Sequence, residues 1–312
     1  MIRTNRIFFA TDMHGSEITF LKFLGAASFY KADTMILGGD ITGKAVVPLI
    51  KRDDGTILTQ IIGKDYSAKS PKELERLMGL IKDLGYYDFA TTTDDWTKIA
   101  SDSTKMDELF VKLASDRLRH WAELAREKLP KTPSKIFAAG GNDDPFEIDE
   151  ILRTTEPFIY CHDQIVDVAG HEMICTGYAN MTPWHLPRDT TEEHLTKVID
   201  DMASRVGNMP NAIFNIHAPP YQSKLDEAPR LDKDLKARAE FVAVGSTAVR
   251  SAIEKYQPLL GLHGHIHESR GAIMIGRTLC VNPGSEYGEG ILRGAVINIE
   301  PGKVKGHILT SG

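Results

Sequence analysis

Cysteine is scarce in this 312-residue chain: Cys161, Cys175 and Cys280 are the only three, and no CxxC pair occurs. That excludes a disulfide scaffold and a thiolate zinc knuckle, and fits free thiols in a reducing cytoplasm. Long apolar runs are also missing. The run Ile7 to Ala10 is followed by Asp12 and His14, too soon for a signal peptide, and no run nears the roughly 18 residues of a membrane span. Neither sign of charge dominates, since 37 Lys plus Arg face 43 Asp plus Glu, for a formal net charge of −6. No membrane partner is expected, and bulk electrostatics do not draw the chain to nucleic acid. Internal repeats and low-complexity tracts are absent. What remains, with 42% hydrophobic and 26% charged residues, is a globular chain able to bury a large core.

Short apolar runs ending in Gly, Asp, Asn or His recur at Arg6 to Ala10, Thr34 to Leu37, Ile136 to Ala139, Ala212 to Ile216 and Leu259 to Leu262. Each predicts a buried strand followed by a loop. Helical periodicity lies between them, as in Ser16 to Phe29 with Ser16 as N-cap, so the core is expected to be α/β. Toward the end, Ala272 to Ile275, Thr278 to Asn282, Ala295 to Ile299 and Lys303 to Ile308 are separated only by turns and predict an antiparallel section. Residues 44–130 read as a largely helical insertion within a single domain spanning 1–312. It comprises a hairpin (Val46 to Ile50 and Ile57 to Ile62) and helices at Pro71 to Leu84 and Lys105 to Leu129. A second excursion, 186–210, carries a helix from Thr191 to Val206.

Eleven histidines are the compositional oddity, and His14, His217, His263, His265 and His267 sit in or beside short turn-rich loops. Five loops carry the chemistry: Asp12-Met13-His14, Gly38-Gly39-Asp40, Gly140-Gly141-Asn142-Asp143, His217-Ala218-Pro219-Pro220 and Gly264-His265-Ile266-His267. Four directly follow a predicted strand, where ligands of open α/β sheets bind. Residues two apart in extended backbone point to one side, so Asp12 with His14, and His265 with His267, are expected to reach one metal or two adjacent ones. The donors Asp12, His14, Asp40, Asn142, His217, His265 and His267 are too many for one tetrahedral ion. They suit two ions about 3.5–4 Å apart with a bridging carboxylate. Oxygen and nitrogen donors without thiolate favour Mn or Fe, with Zn also compatible, as a divalent pair or a mixed Fe/divalent pair. Glycines at 38, 39, 140, 141 and 264 would let backbone come close to a ligand.

In this order the loops resemble the calcineurin-like metallophosphoesterase superfamily, whose series DxH, GD, GNH(D/E), H and GHxH spans nearly the whole chain. Met181-Thr182-Pro183-Trp184, His217 to Pro220 and Asn282-Pro283-Gly284-Ser285 also look like predicted phosphoesterases related to the Icc-type phosphodiesterases. The resemblance implies a four-layer α/β/β/α sandwich. It also implies that Asp12, His14 and His267 hold one metal, that Asn142, His217 and His265 hold the other, and that Asp40 bridges them. Hydroxide made at the metal pair would attack phosphorus in line, with no covalent protein nucleophile.

One position departs from the family. Where His usually follows the Asn, this chain has Asp143 and then Asp144. Beside two cations Asp143 is expected to be ionised, a poor proton donor, and repulsive to a dianionic monoester, which favours phosphodiesters or a substrate with a good leaving group. The plainer reading has Asp143 capping a helix over Pro145 to Leu152 or orienting a ligand. Asn142, Asp143 and His217 are the candidate catalytic residues. Asn142 would ligate through its carbonyl oxygen and donate from its NH2 to a phosphoryl oxygen. His263 is expected to pack or orient a ligand, Lys44 to be solvated or to meet a phosphate, and Tyr221 and His185 to lie outside the site. The expected partner is a small phosphoester; nucleic acid is disfavoured and self-association stays open. The competing readings are a nuclease and a binding scaffold that has lost catalysis.

Overall fold

The computed structural model describes residues 4–129 and 135–312, so residue 130, the expected end of the insertion, lies outside the described residues. The helices are α1 (Glu17–Phe29), α2 (Pro71–Asp83), α3 (Thr93–Ala100), α4 (Ser103–Lys128), α5 (Ile148–Thr154), α6 (Glu192–Ala203) and α7 (Thr247–Tyr256). One mixed sheet runs Lys303–Ser311, Arg293–Glu300, Asn5–Ala10, Thr34–Leu37, Ile136–Ala138, Phe158–Tyr160. The other runs Gly271–Ile275, Thr278–Asn282, Leu260–Leu262, Ile213–Ile216, His171–Thr176, Gln164–Val168. In each sheet the four adjacent strands that carry or border the predicted loops are parallel; an antiparallel pair closes one edge of the first sheet, and single antiparallel strands close both edges of the second.

Strand alternation sorts the side chains into layers. Phe8, Ala10, Met35 and Leu37 face α1, α4 and α5, where Phe20 stacks on Trp121 with centroids 4.1 Å apart. Ile7, Phe9 and Ile36 point the other way and meet Met173, Ile213, Leu260 and Val281 of the second sheet. Ile174, Phe214 and Ile216 face α6 and α7. The layers therefore succeed one another as helices, sheet, sheet, helices. Among the described residues no helix is long and apolar enough to cross a membrane.

Most of the insertion is helical, in α2, α3 and α4, but its expected hairpin is part of a larger sheet. Lys64–Ala68, Ile57–Ile61, Val46–Lys51 and Tyr87–Thr91 form a four-stranded sheet with its own core of Val47, Leu49, Ile61, Ala68, Leu77 and Ile81 against α2. Two of its strands escaped notice because they are polar and half exposed, with no apolar run to betray them. Two helices lie where expected, α2 opening on a capping box of Ser70 and Glu73 around Pro71 and α4 opening behind Asp102, ahead of the expected Lys105, whereas α3, capped by Thr92, was not expected. The half of α4 that bears Leu118 and Trp121 packs into the helical layer over the first sheet. Ser16 does precede α1, but its hydroxyl donates to Asp83 O at 2.7 Å instead of capping. Tyr87 Oη accepts from Gly43 N at 2.7 Å, and Arg117 donates to Gly15 O at 2.6 Å. The insertion is thus tied to the loops that follow the first two core strands.

Candidate metal centre

All five predicted loops meet at one end of the parallel strands. Donor atoms of Asp12, His14 and His267 lie within 4.8 Å of one another, as do those of Asp40, His217 and His265. Asp40 joins the groups, its Oδ2 lying 3.7 Å from His14 Nε2 and 3.4 Å from His217 Nε2. His14 Nε2 and His267 Nε2 are 3.1 Å apart, and Asp12 Oδ1 is 3.3 Å from His267 Nε2. Asp143 reaches the rim, with Oδ2 3.6 Å from His14 Nδ1.

The backbone reaches this convergence by a different route from the one expected. Asp12, His14, Asp40 and His265 have φ of 55°, 41°, 48° and 67°, in the left-handed region rather than the extended one. Side chains therefore converge through tight turns, not through strand alternation. Hydrogen bonds between loops hold the turns: Asp12 N and His14 N donate to Gly39 O and Asp40 O, each at 2.9 Å. Glycine is required where loops cross. A Cβ on Gly264 would collide with Thr11 Oγ1 and Asp12 Oδ2, and one on Gly39, whose φ is +119°, would lie 2.5 Å from His217 Nδ1.

Three of the candidate ligands are also oriented from behind. His217 Nδ1 donates to Gly38 O at 3.0 Å, which turns Nε2 toward the site. Asn142 Nδ2 donates to Asp189 Oδ1 at 2.9 Å, leaving its buried Oδ1 without a hydrogen-bond partner among the described residues. One amide hydrogen expected to meet a phosphoryl oxygen is therefore spent on Asp189. Asp12 accepts from Thr11 Oγ1 at 2.7 Å and from His265 N at 3.1 Å. His263 binds Ile216 O and Ala218 O at 2.9 and 3.1 Å, so it braces the His217 loop, and burial pushes it down to about 4.

The charges are strongly coupled. Burial raises Asp12, but the hydrogen bond to His267 and the charges of His217 and His267 outweigh it and hold the carboxyl at about 2. Burial opposes protonation of His217, yet Asp40 and Asp12 lift it to about 9, while burial holds His265 down at about 4. Asp143 is pushed up to about 6 by burial and by Asp40, with Lys44 pulling against them. The chain's own field thus does not depress Asp143; only bound cations would. Asp143 does not cap α5, which begins at Ile148 behind Glu147. It instead makes an ion pair with Lys44, which is paired rather than solvated.

No known family model matches the chain. It is 30% identical over 151 residues to the uncharacterized protein MJ1162 of Methanocaldococcus jannaschii, a match covering 48% of this chain and 63% of that protein. A solved chain at 14% identity aligns over 99% of both chains with a TM-score of 0.56. TT1561 of Thermus thermophilus aligns over 99% of both at 15% identity and a TM-score of 0.51. The chain shares the fold of these two solved chains over nearly its whole length.

Within that fold, several residues that shape the site carry no local signal. Asp144 is buried and accepts from Ile41 N, Thr42 N, Thr42 Oγ1 and Gly141 N at 2.6–2.9 Å, locking the Asp40 loop to the Asn142 loop. Arg188 is fully buried and holds the next turn through Asp144 O, Pro145 O and Asp149. The Tyr287 ring lies 4.7 Å from His14 and 6.0 Å from His267. Only the resemblance of Asp-Asp after Asn142 to a family motif could have drawn attention to Asp144; Arg188 and Tyr287 offered none. His185 is exposed. A cleft of about 530 Å³ opens from Lys44 and Asp143 and runs between α4 and the turn at Pro145 to Glu147.

Proposed function

We propose that the protein is a dinuclear metal-dependent phosphoesterase that favours phosphodiesters. The residues fit a metal pair: Asn142 Oδ1 and His217 Nε2 are buried without a hydrogen-bond partner among the described residues, an arrangement costly unless a cation fills it. Asp12, His14 and His267 would hold one ion, Asn142, His217 and His265 the other, and Asp40 would serve both. Bound there, the ions supply Lewis acidity toward a phosphoryl oxygen and a water. The protein's part is positional. Gly38 O and Asp189 fix the directions of His217 and Asn142, and the left-handed turns present four ligands without further rearrangement.

The Lys44–Asp143 ion pair carries the diester preference. Lys44 is already committed to a carboxylate at the rim, so it offers less to the second negative charge of a monoester. A diester brings one charge and a second organic group, for which the adjoining cleft has room. Asp107 and Glu147 line that cleft and count against a nucleic-acid strand lying in it. The test compares matched aryl mono- and diesters with Mn and after chelation. The diester should show at least about tenfold higher kcat/KM, lost on chelation; a monoester preference overturns the reading.

A further inference from the structure

The cleft beside the metal centre has a chemistry of its own. Phe110 and Val111 of α4 form one wall, and Pro145 and Phe146 form the other. Phe146 is 47% exposed, and the Arg188 guanidinium carbon sits 4.6 Å from its ring centroid, so the ring is held in place while remaining open to a ligand. Phe110 is steadied edge-on by Tyr87 at 5.4 Å between centroids. The charges are uneven. Lys44 and Asp143 cancel as a pair, whereas Asp107 and Glu147, one on each wall, have no ion-pair partner among the described residues. Two aromatic rings and two uncompensated carboxylates beside low-dielectric walls attract an organic cation and repel an anion.

Building on the phosphodiesterase reading, we propose that this cleft receives one organic group of the ester and that its preferred occupant is an alkylammonium alcohol. The phosphoryl group then lies at the His/Asp cluster and the ammonium group lies between Asp107 and Glu147. An ester of this kind is a zwitterion, which suits a trough that is cation-binding at its metal end and anionic at its far end. Quaternary and primary ammonium groups share this charge, and the aromatic walls favour the quaternary form.

The test pairs choline with its neutral isostere 3,3-dimethylbutanol, titrated calorimetrically into the full chain, and pairs the p-nitrophenyl phosphodiesters of the same two alcohols in turnover; the 2-aminoethyl diester forms a third arm. Choline should bind at least about tenfold more tightly than the isostere, and its diester should be favoured at least about tenfold in kcat/KM, chiefly through KM. Both ratios should collapse toward one in the Asp107→Asn, Glu147→Gln double variant and shrink in Phe146→Ala. All three positions are on the surface of the cleft, so the fold tolerates them. Preferential choline binding without hydrolysis of any diester keeps the cation site and removes the phosphodiesterase reading. Hydrolysis of both diesters with equal kcat/KM, with neither alcohol preferred in binding, overturns the cation site and leaves the phosphodiesterase reading intact.

Discussion

Left-handed backbone occurs both in the metal-ligand loops and in the insertion, but it is held in different ways. In the insertion it falls at Gly85, where an added Cβ would collide with His14 O, and at Gly55, Ile62 and Gly63 in the hairpin turns, where a Cβ added to either glycine would meet nothing within 4 Å. Those hairpin turns are local and open to solvent. In the core it falls on Asp12, His14, Asp40 and His265, which are held by bonds from other loops, and the neighbouring glycines have no free space. A strained ligand loop persists only when surrounding structure over-determines it, and here that structure is the Asp144 clamp and the ladder between residues 12–15 and 39–41. The hairpin turns of the insertion can vary freely; Gly85 and the core turns cannot.

Removing the carboxylate shared by both ligand groups breaks the comparison most severely. Asp40→Asn keeps the side-chain shape but loses the charge facing both His14 and His217. Both metals should be lost and activity should fall by at least about a thousandfold. Metal content by elemental analysis, read beside kcat/KM, checks this; retained activity with two bound ions would contradict the shared-ligand assignment. Next comes Gly264→Ala, which forces a methyl against Thr11 and Asp12 and should cost about 1–3 kcal/mol in urea unfolding while weakening metal binding.

Acid should separate the two regions by pH window. His162 is buried, accepts from Gly177 N at 2.9 Å and is held down at about 4 by burial. Its folded value lies below its unfolded value, so the unfolded chain takes up the proton first. Stability is full above about 6.5 and falls as pH drops toward about 4, by roughly 1.4 kcal/mol for each pH unit within the window. The insertion's cap residues Glu73, Asp95 and Asp102 are lowered by the hydrogen bonds they accept from Lys69, Lys98 and Lys105, and their contribution is lost only at lower pH. Urea midpoints from pH 8 to 4.5 for wild type and His162→Gln measure the difference. An unchanged slope in the variant would remove His162 as its cause.

Legibility in the sequence follows the same division. The ligand loops could be read because each donor directly follows an apolar run or sits in an HxH or DxH pair, and strand ends are where such donors become useful. The left-handed turns could not, since Asp12 and His265 look the same in sequence whether extended or coiled. Asp189 and Arg188 were invisible for another reason. Each acts across more than 35 residues of chain, on Asn142 and Asp149 respectively, and a lone Asp or Arg in a loop has no local partner to mark it. The insertion reversed the pattern: α2 and α4 were expected over Pro71 to Leu84 and Lys105 to Leu129, while α3 and the polar strands depended on neighbours that only the fold supplies.

The smallest effect is the most discriminating. Gly79 lies inside α2, and a Cβ there would meet nothing within 4 Å, so Gly79→Ala should gain up to about 1 kcal/mol of helix stability. Where that gain appears depends on whether the insertion opens separately. Its core, Val47, Leu49, Ile61, Ala68, Leu77 and Ile81, is distinct from the three clusters around the main sheets, which favours an independent opening unit. Against that stand the bonds from Ser16 to Asp83 and from Arg117 to Gly15. Amide exchange weighs the two. If protection rises at Val47 and Leu49 but not at Phe8 or Ile213, the small sheet of the insertion opens by itself. An equal rise at all four sites would make the insertion and the metal-site scaffold one cooperative unit.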